Sequence, residues 1–209
     1  MSDTFFAKSM LVALGFDTLL PTSEIDLMAE KEPPNFSLYC RKREDKANFH
    51  FKIDFSRDLA GCYHLNAYTA AILMNRDFEG VYIGSVCIKT LEEDLNQLPW
   101  NERYAGDVRS RLDAWNSTYA VVEKLGWIIS SPSNEDRHIG IYLALNYLPL
   151  SMLGSFYLTH DAFCVLPKEL LVTVDLSAGA VYYPADKAIK ELYERVNANA
   201  KKCVFSFLK

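Results

Sequence analysis

Between residues 36 and 69 the side chains alternate with a period of two, and this pattern leaves the chain little choice of local structure. Phe49, Phe51, Ile53 and Phe55 alternate with His50, Lys52 and Asp54. Successive side chains of a strand point to opposite faces, so the run predicts a strand with one apolar and one polar side. Residues 36–41 and 63–68 alternate in the same sense, which predicts three consecutive antiparallel strands. With a loop at 43–46, Cys40 faces Phe49, Leu38 faces Phe51 and Phe36 faces Ile53. With a loop at 57–61, Phe55 faces Tyr63, Ile53 faces Leu65 and Phe51 faces Ala67. A slip of one residue would turn every apolar side chain to water, whereas a slip of two keeps the parity and stays open.

The rest of the chain reads as alternating helices and short strands. Asp3 or Thr4 starts a helix carrying Phe5, Met10, Val12 and Leu14, which Gly15 ends. Thr22 or Ser23 caps a second short helix, with acids in its first turn. Residues 80–88 predict a fourth strand, bulged at Gly84. Thr90 then caps a helix that ends before Pro99, and Pro99-Trp100-Asn101 marks the boundary between halves. A long amphipathic helix follows, with Tyr104, Val108, Leu112, Trp115, Tyr119, Val122 and Leu125 at helical spacing and Gly126 closing it. Residues 130–137 read as a polar loop. Residues 139–158 fit either alternating strands or a buried helix; Gly140, Pro149 and Gly154 favour strands. A hairpin is expected at 170–183, then a helix from Pro184 with Ile189, Leu192, Tyr193 and Val196 on its apolar side, and a last strand at 203–208.

Composition bounds the function. A 209-residue chain that is 50% hydrophobic and 13% aromatic can bury a core, which excludes global disorder. A net charge of −5 and a pI near 5.4 argue against a broadly basic nucleic-acid binder. Five scattered cysteines without a CxxC pair predict reduced thiols in a cytoplasmic protein. The first residues lack the basic region of a signal peptide, and the 139–158 run is too interrupted by polar residues, Gly and Pro to suggest a membrane span.

Standard catalytic signatures are absent. There is no P-loop, no GxGxxG after a strand, no HExxH, no GxSxG and no EF-hand loop, and no cofactor or metal is expected. The constellation with internal logic is the polar face of the opening sheet: Ser37, Tyr39, Arg41, His50, Lys52, Asp54, His64, Asn66 and Tyr68. In the expected registers Tyr39, His50 and Tyr68 lie side by side, and Asp54 faces His64. Such neighbours sit close enough to touch. Three readings follow. The face is solvated or covered by another element; it recognises a protein or single-stranded nucleic acid, with rings for stacking and Arg41, Lys42, Arg43 and Lys52 for phosphates; or Cys62, His64 and Asp54 form a nucleophilic relay. Residues two apart on a strand are too far apart for a direct relay, and no oxyanion hole is visible.

Leu14-Gly15-Phe16, the strand Phe36-Ser37-Leu38-Tyr39, Phe49-His50-Phe51-Lys52 and Tyr63-His64-Leu65-Asn66-Ala67-Tyr68-Thr69-Ala70 together resemble a group of uncharacterised bacterial proteins. That group is associated with mobile elements and conjugative transfer regions. The resemblance covers residues 5–98 and implies a cytosolic accessory protein encoded near DNA-transfer functions; it carries over no site residue. The expected fold is α+β. Its parts are an antiparallel sheet of about four strands with short helices over 1–99 and a helix-led α/β portion over 100–209, which could share one continuous domain. The expected role is non-enzymatic binding to a protein partner through Tyr39, Arg41, His50, Lys52, Asp54, His64, Asn66 and Tyr68. Single-stranded nucleic acid on the same face is the alternative, and a thiol enzyme is the third.

Overall fold

The structure, a computed structural model, describes residues 3–98, 108–148, 163, 166–177 and 182–206. In chain order its elements begin with α1 (Phe5–Ala13), α2 (Ser23–Ala29), β1 (Asn35–Arg43), β2 (Ala47–Arg57) and β3 (Tyr63–Met74). A two-residue hairpin follows, β4 (Tyr82–Ile83) and β5 (Val86–Cys87), then α3 (Ile88–Gln97), α4 (Val108–Ile129) and α5 (Asn134–Tyr147). A 3-10 turn at Lys168–Leu170, β6 (Leu171–Asp175) and α6 (Ala185–Ser206) complete the series. The fold is α+β. The chain divides into two compact units, residues 1–75 with 166–209 and residues 76–165. The division does not run at 99/100: the chain leaves the first unit after Asn75 and re-enters it at Leu166.

The first unit is a four-stranded antiparallel sheet in the order β1-β2-β3-β6. One face packs under helices. Phe49, Phe51, Ile53, Phe55, Leu38 and Cys40 are buried against Ala7 and Leu11 of α1, Leu14 just after it, Ile25 of α2, and Ala188, Ile189 and Leu192 of α6. The alternation drives this arrangement, because folding the helices onto that face removes a full row of rings from water. Gly15, at φ +78°, turns the chain off α1, with Phe16 N–H donating to Leu11 O at 2.9 Å. Phe16 then drops edge-on against Phe51 and Tyr68, with ring centroids 5.2 and 5.1 Å apart. The far end of the sheet is tied to α6, where Tyr193 meets Phe49 at 5.1 Å and donates to Glu44 at 3.0 Å.

The β1–β2 register moves by two residues. The β2–β3 register moves by two up to a bulge and by three beyond it, where Ile53 faces Tyr68 and Phe51 faces Ala70. Phe36 faces Phe55, Leu38 faces Ile53 and Cys40 faces Phe51, because the β1–β2 turn closes at Glu44 N–H to Ala47 O, 3.0 Å. Arg57 faces Tyr63 and Phe55 faces Leu65, and then the register shifts. Asp54 faces Ala67, so Asn66 is an extra residue, and from there Tyr68, Ala70 and Ile72 take the buried side. An added residue in one strand reverses the facing of everything beyond it. The bulge reconciles the odd apolar set, Tyr63 and Leu65, with the even set, Tyr68, Ala70 and Ile72.

The fourth strand of the sheet is β6, not residues 80–88. Those residues form the separate β4–β5 hairpin turning at Gly84, φ +57°. Tyr182 and Tyr183 are not in a strand, and residues 178–181 lie outside the described set, so the second arm expected for the 170–183 hairpin is not seen. Residues 203–206 continue α6 instead of forming a last strand; 207–209 lie outside the described residues.

The second unit holds α3, α4 and α5. Residues 139–147 are helical, against the strand expectation. Residues Ile139 to Asn146 are all buried, so the helix is apolar on every side and shows no one-sided stripe. Its start lies inside the expected polar loop, where Ser133 Oγ accepts from Asp136 N–H at 3.3 Å and Glu135 and Asp136 fill the first turn. Gly140 serves close packing: a Cβ there would lie 2.8 Å from Ile129 Cγ1 and 3.0 Å from Ile128 Cγ2. Gly126 does not close α4, which runs on to Ile129, and Tyr119 lies on its exposed side while Val122, Leu125 and Ile128 are buried. The helix starts expected at Tyr104 and the boundary at 99–101 lie outside the described residues. Helix α3 starts at Ile88, with Cys87 as its cap instead of Thr90. Among the described residues no helix is long and apolar enough to cross a membrane.

Candidate recognition surface

The polar side of the sheet keeps most of its expected members but pairs them differently. In the row next to the β1 start, Ser37 Oγ donates to Asp54 Oδ1 at 2.5 Å, and Lys52 Nζ reaches the same oxygen at 3.1 Å. The neighbouring row crosses all four strands as Tyr39, Lys52, Thr69 and Thr173, with the two threonine hydroxyls 3.2 Å apart. Burial, and then the Asp54 carboxylate, raise the Tyr39 phenol pKa above its ordinary value. At the hairpin end Arg41 faces His50 and His50 faces Ala71. His50 is only 2% exposed, and burial followed by the charge of Arg43 lowers the Arg41 guanidinium to about 10.

Two expected members leave this pattern. Tyr68 lies in the core at 0% exposure, and its hydroxyl donates to Tyr183 O at 2.7 Å. Of the three rings expected side by side, Tyr68 is inside and His50 is buried, so Tyr39 alone keeps exposed area for stacking. His64 does not face Asp54: it faces Ser56, and its Nε2 lies 2.8 Å from Asp58 Oδ2. The other oxygen of Asp58 accepts from the Ala60 and Cys62 backbone N–H groups, each at 2.9 Å. The Cys62 N–H, then His64, hold the Asp58 carboxyl below its ordinary pKa. This carboxylate orders the 58–62 turn, and the relay of Cys62, His64 and Asp54 does not assemble. Asn66, in the bulge, donates to Ser56 Oγ at 2.6 Å. The hydroxyls and charges of the face are spent largely on one another. Among the described residues no group of three or more His, Cys, Asp or Glu could hold a metal ion.

A second surface starts at His64. Phe6 of α1 stacks on the His64 ring at 5.6 Å, and Phe5 meets Phe6 edge-on at 5.8 Å. Ala7, Leu11 and Leu14 carry α1 onto the sheet, which leaves Phe5, Phe6, Met10 and Val12 on the outer side at 38–56% exposure. Phe5, Ser9 and Val12 recur at i, i+4 and i+7, so they form a stripe along one side of the helix. The sequence places Phe5, Met10, Val12 and Leu14 on this helix without deciding which side packs. Apolar residues occupy both the packed side of α1, at Ala7 and Leu11, and its outer side, and a short helix cannot bury both on one sheet.

Helix α2 braces α1 on its other flank. Thr4 Oγ1 donates to Asp26 Oδ1 at 2.8 Å, and Lys8 Nζ lies 2.6 Å from Asp26 Oδ2. Those contacts, Lys8 first, hold Asp26 below its ordinary pKa. Beside them Asp3, Thr4, Asp26, Ala29, Glu30 and Glu32 line an open depression of about 240 Å³. No family model, curated protein or solved structure matches the chain.

Proposed function

We propose that this chain is a cytoplasmic, non-enzymatic accessory protein that acts by binding a protein partner, with the outer side of α1 and the adjoining His64 as its contact surface. The observation that carries the reading is the exposed apolar cluster on the outer side of α1. Phe5, Phe6, Met10 and Val12 show about half their area to water on a helix whose other side is fully packed. Clustered exposed apolar side chains of this kind are the usual mark of an interaction surface, and aromatic rings and Met are enriched at the centres of such contacts. The free thiols of Cys40, Cys62 and Cys87 support a reducing compartment. The resemblance of residues 5–98 to proteins of conjugative transfer regions supports an accessory role.

A photo-crosslinking residue placed at position 5 or 12, and as a control at Thr173 on the exposed part of the sheet, tests this in host cells. One partner crosslinked from positions 5 and 12 and not from 173 is the expected result. Crosslinking from 173 alone would move the contact to the polar face, and no crosslink from any position would remove the interaction reading.

A further inference from the structure

Resting on that reading, the geometry points to a basic amphipathic helix as the segment that seats on α1. The exposed patch runs from Phe5 to Val12, about 10 Å between its end residues at the helical rise, which matches about two turns of a partner helix. Its apolar content calls for an apolar side on the partner, and its flank decides the partner's charge. Between residues 3 and 32 the chain carries six carboxylates (Asp3, Asp17, Glu24, Asp26, Glu30 and Glu32) against two lysines. Lys8 is committed to Asp26 at 2.6 Å. Glu32 reaches Arg57 at 3.4 Å, while Asp3 and Glu30 have no ion pair among the described residues. These acids line the depression beside Thr4, one residue from Phe5. Lys or Arg on the near flank of a docked helix would therefore meet an acidic rim while its apolar side covers Phe5, Phe6 and Val12, the helix-in-groove mode of recognition.

Charge also argues against other occupants. A second copy would bring one acidic rim toward another on a chain of net charge −5, and a phosphate-bearing surface would meet the same repulsion.

The probe is a synthetic helix of about eighteen residues of Leu and Lys in amphipathic order, long enough to hold helical form. Its controls are the Leu/Glu counterpart and a scrambled Leu/Lys sequence. Titration into the full chain is expected to give saturable binding of the Leu/Lys helix that weakens as salt rises. Phe5→Ser with Val12→Ser should weaken it at least about tenfold, as removal of a central apolar contact does. Asp3→Asn with Glu30→Gln should weaken it roughly threefold, as exposed charge pairs do. All four positions are exposed, so the folded state is retained, which circular dichroism checks. Equal binding of the Leu/Glu or scrambled helix, no response to either double substitution, or a dimer in sedimentation abolished by Phe5→Ser each overturns the inference. A partner crosslinked through α1 together with no binding of the Leu/Lys helix removes the basic chemistry alone and leaves the interaction reading standing.

Discussion

Tyr68 shows how far one residue's environment can depart from its place in an alternating pattern. Its ring packs on Phe16, and its hydroxyl reaches the Tyr183 carbonyl at 2.7 Å. Tyr68→Ala should therefore cost about 3–5 kcal/mol in denaturant unfolding, the range for a buried ring, whereas Tyr39→Ala should cost no more than about 1 kcal/mol. Comparable losses at the two positions would contradict the inward placement. Two thiols contrast in the same way. Burial pushes the Cys40 thiol up to about 12. The Thr90 hydroxyl and backbone N–H, then Tyr82 and the Lys89 N–H, hold that of Cys87 below its ordinary value, and it is partly exposed. Iodoacetamide at neutral pH should modify Cys87 well before Cys40, as read by mass spectrometry of the labelled peptides. Asp26 supplies a pH dependence. Its folded pKa is lowered, so the stability it draws from Lys8 and Thr4 is present in full above the ordinary value and fades as pH falls through the lowered one. Asp26→Asn should thus cost roughly 0.5–1 kcal/mol near neutral pH, a modest figure because the pair is partly exposed, and this cost should shrink below about pH 4. Thermal melts across that range would show it.

At the scale of elements, close approach between neighbours explains what propensity leaves open. Gly84 turns the β4–β5 hairpin at φ +57°, and a Cβ built there would lie 2.7 Å from Trp127 Cη2 of α4. Gly84→Ala combines left-handed strain with a clash against an indole, and should lower stability by about 1–3 kcal/mol. A neutral result by calorimetry would mean the indole moves aside freely. Helix α5 teaches the complementary lesson. Gly140 reads as a strand interruption along the chain, yet it is where α5 comes within contact of Ile128 and Ile129. Glu92 sits between the helices nearly buried, accepting from Tyr147 at 2.8 Å and from Lys89 at 3.3 Å. Without that tyrosine and lysine, a carboxylate there would be costly.

At the scale of the whole molecule, the first unit is built from two distant pieces of chain. Antiparallel pairing of β3 with β6 sets Ala71 opposite Leu171, so the strand end at Met74 and the re-entry near Leu166 lie at the same end of the sheet. A shortened chain that joins residue 75 to residue 166 through a few Gly and Ser residues should fold and unfold cooperatively, because sheet, α1, α2 and α6 are all retained. Residues 1–75 alone should not, since Val172, Val174, Ile189 and Leu192 would be missing from the core. Circular dichroism and a single denaturant transition distinguish the two, and a shortened chain without a transition would show that the sheet unit needs the inserted residues.

The local chemistry of the sequence determined the three opening strands, the apolar side of β2, and the helix of Ile189, Leu192, Tyr193 and Val196. Period two and period 3.6 are properties of consecutive residues, so they can be read without knowing what packs on them. Parity also excluded one-residue slips up to Leu65, but the alternation expected through Ala67 is reversed by the bulge at Asn66. Tertiary structure alone decided the rest. Two-residue slips leave the same side chains inside, so the turn at Glu44–Ala47 had to choose between them. Nothing local in residues 171–175 says that they complete a sheet begun a hundred residues earlier. The packed side of α1 was undecided along the chain because both of its sides are apolar, and contact with the sheet selected Ala7, Leu11 and Leu14. By burying that side it left Phe5, Phe6, Met10 and Val12 facing outward, which is the surface on which the proposed function rests.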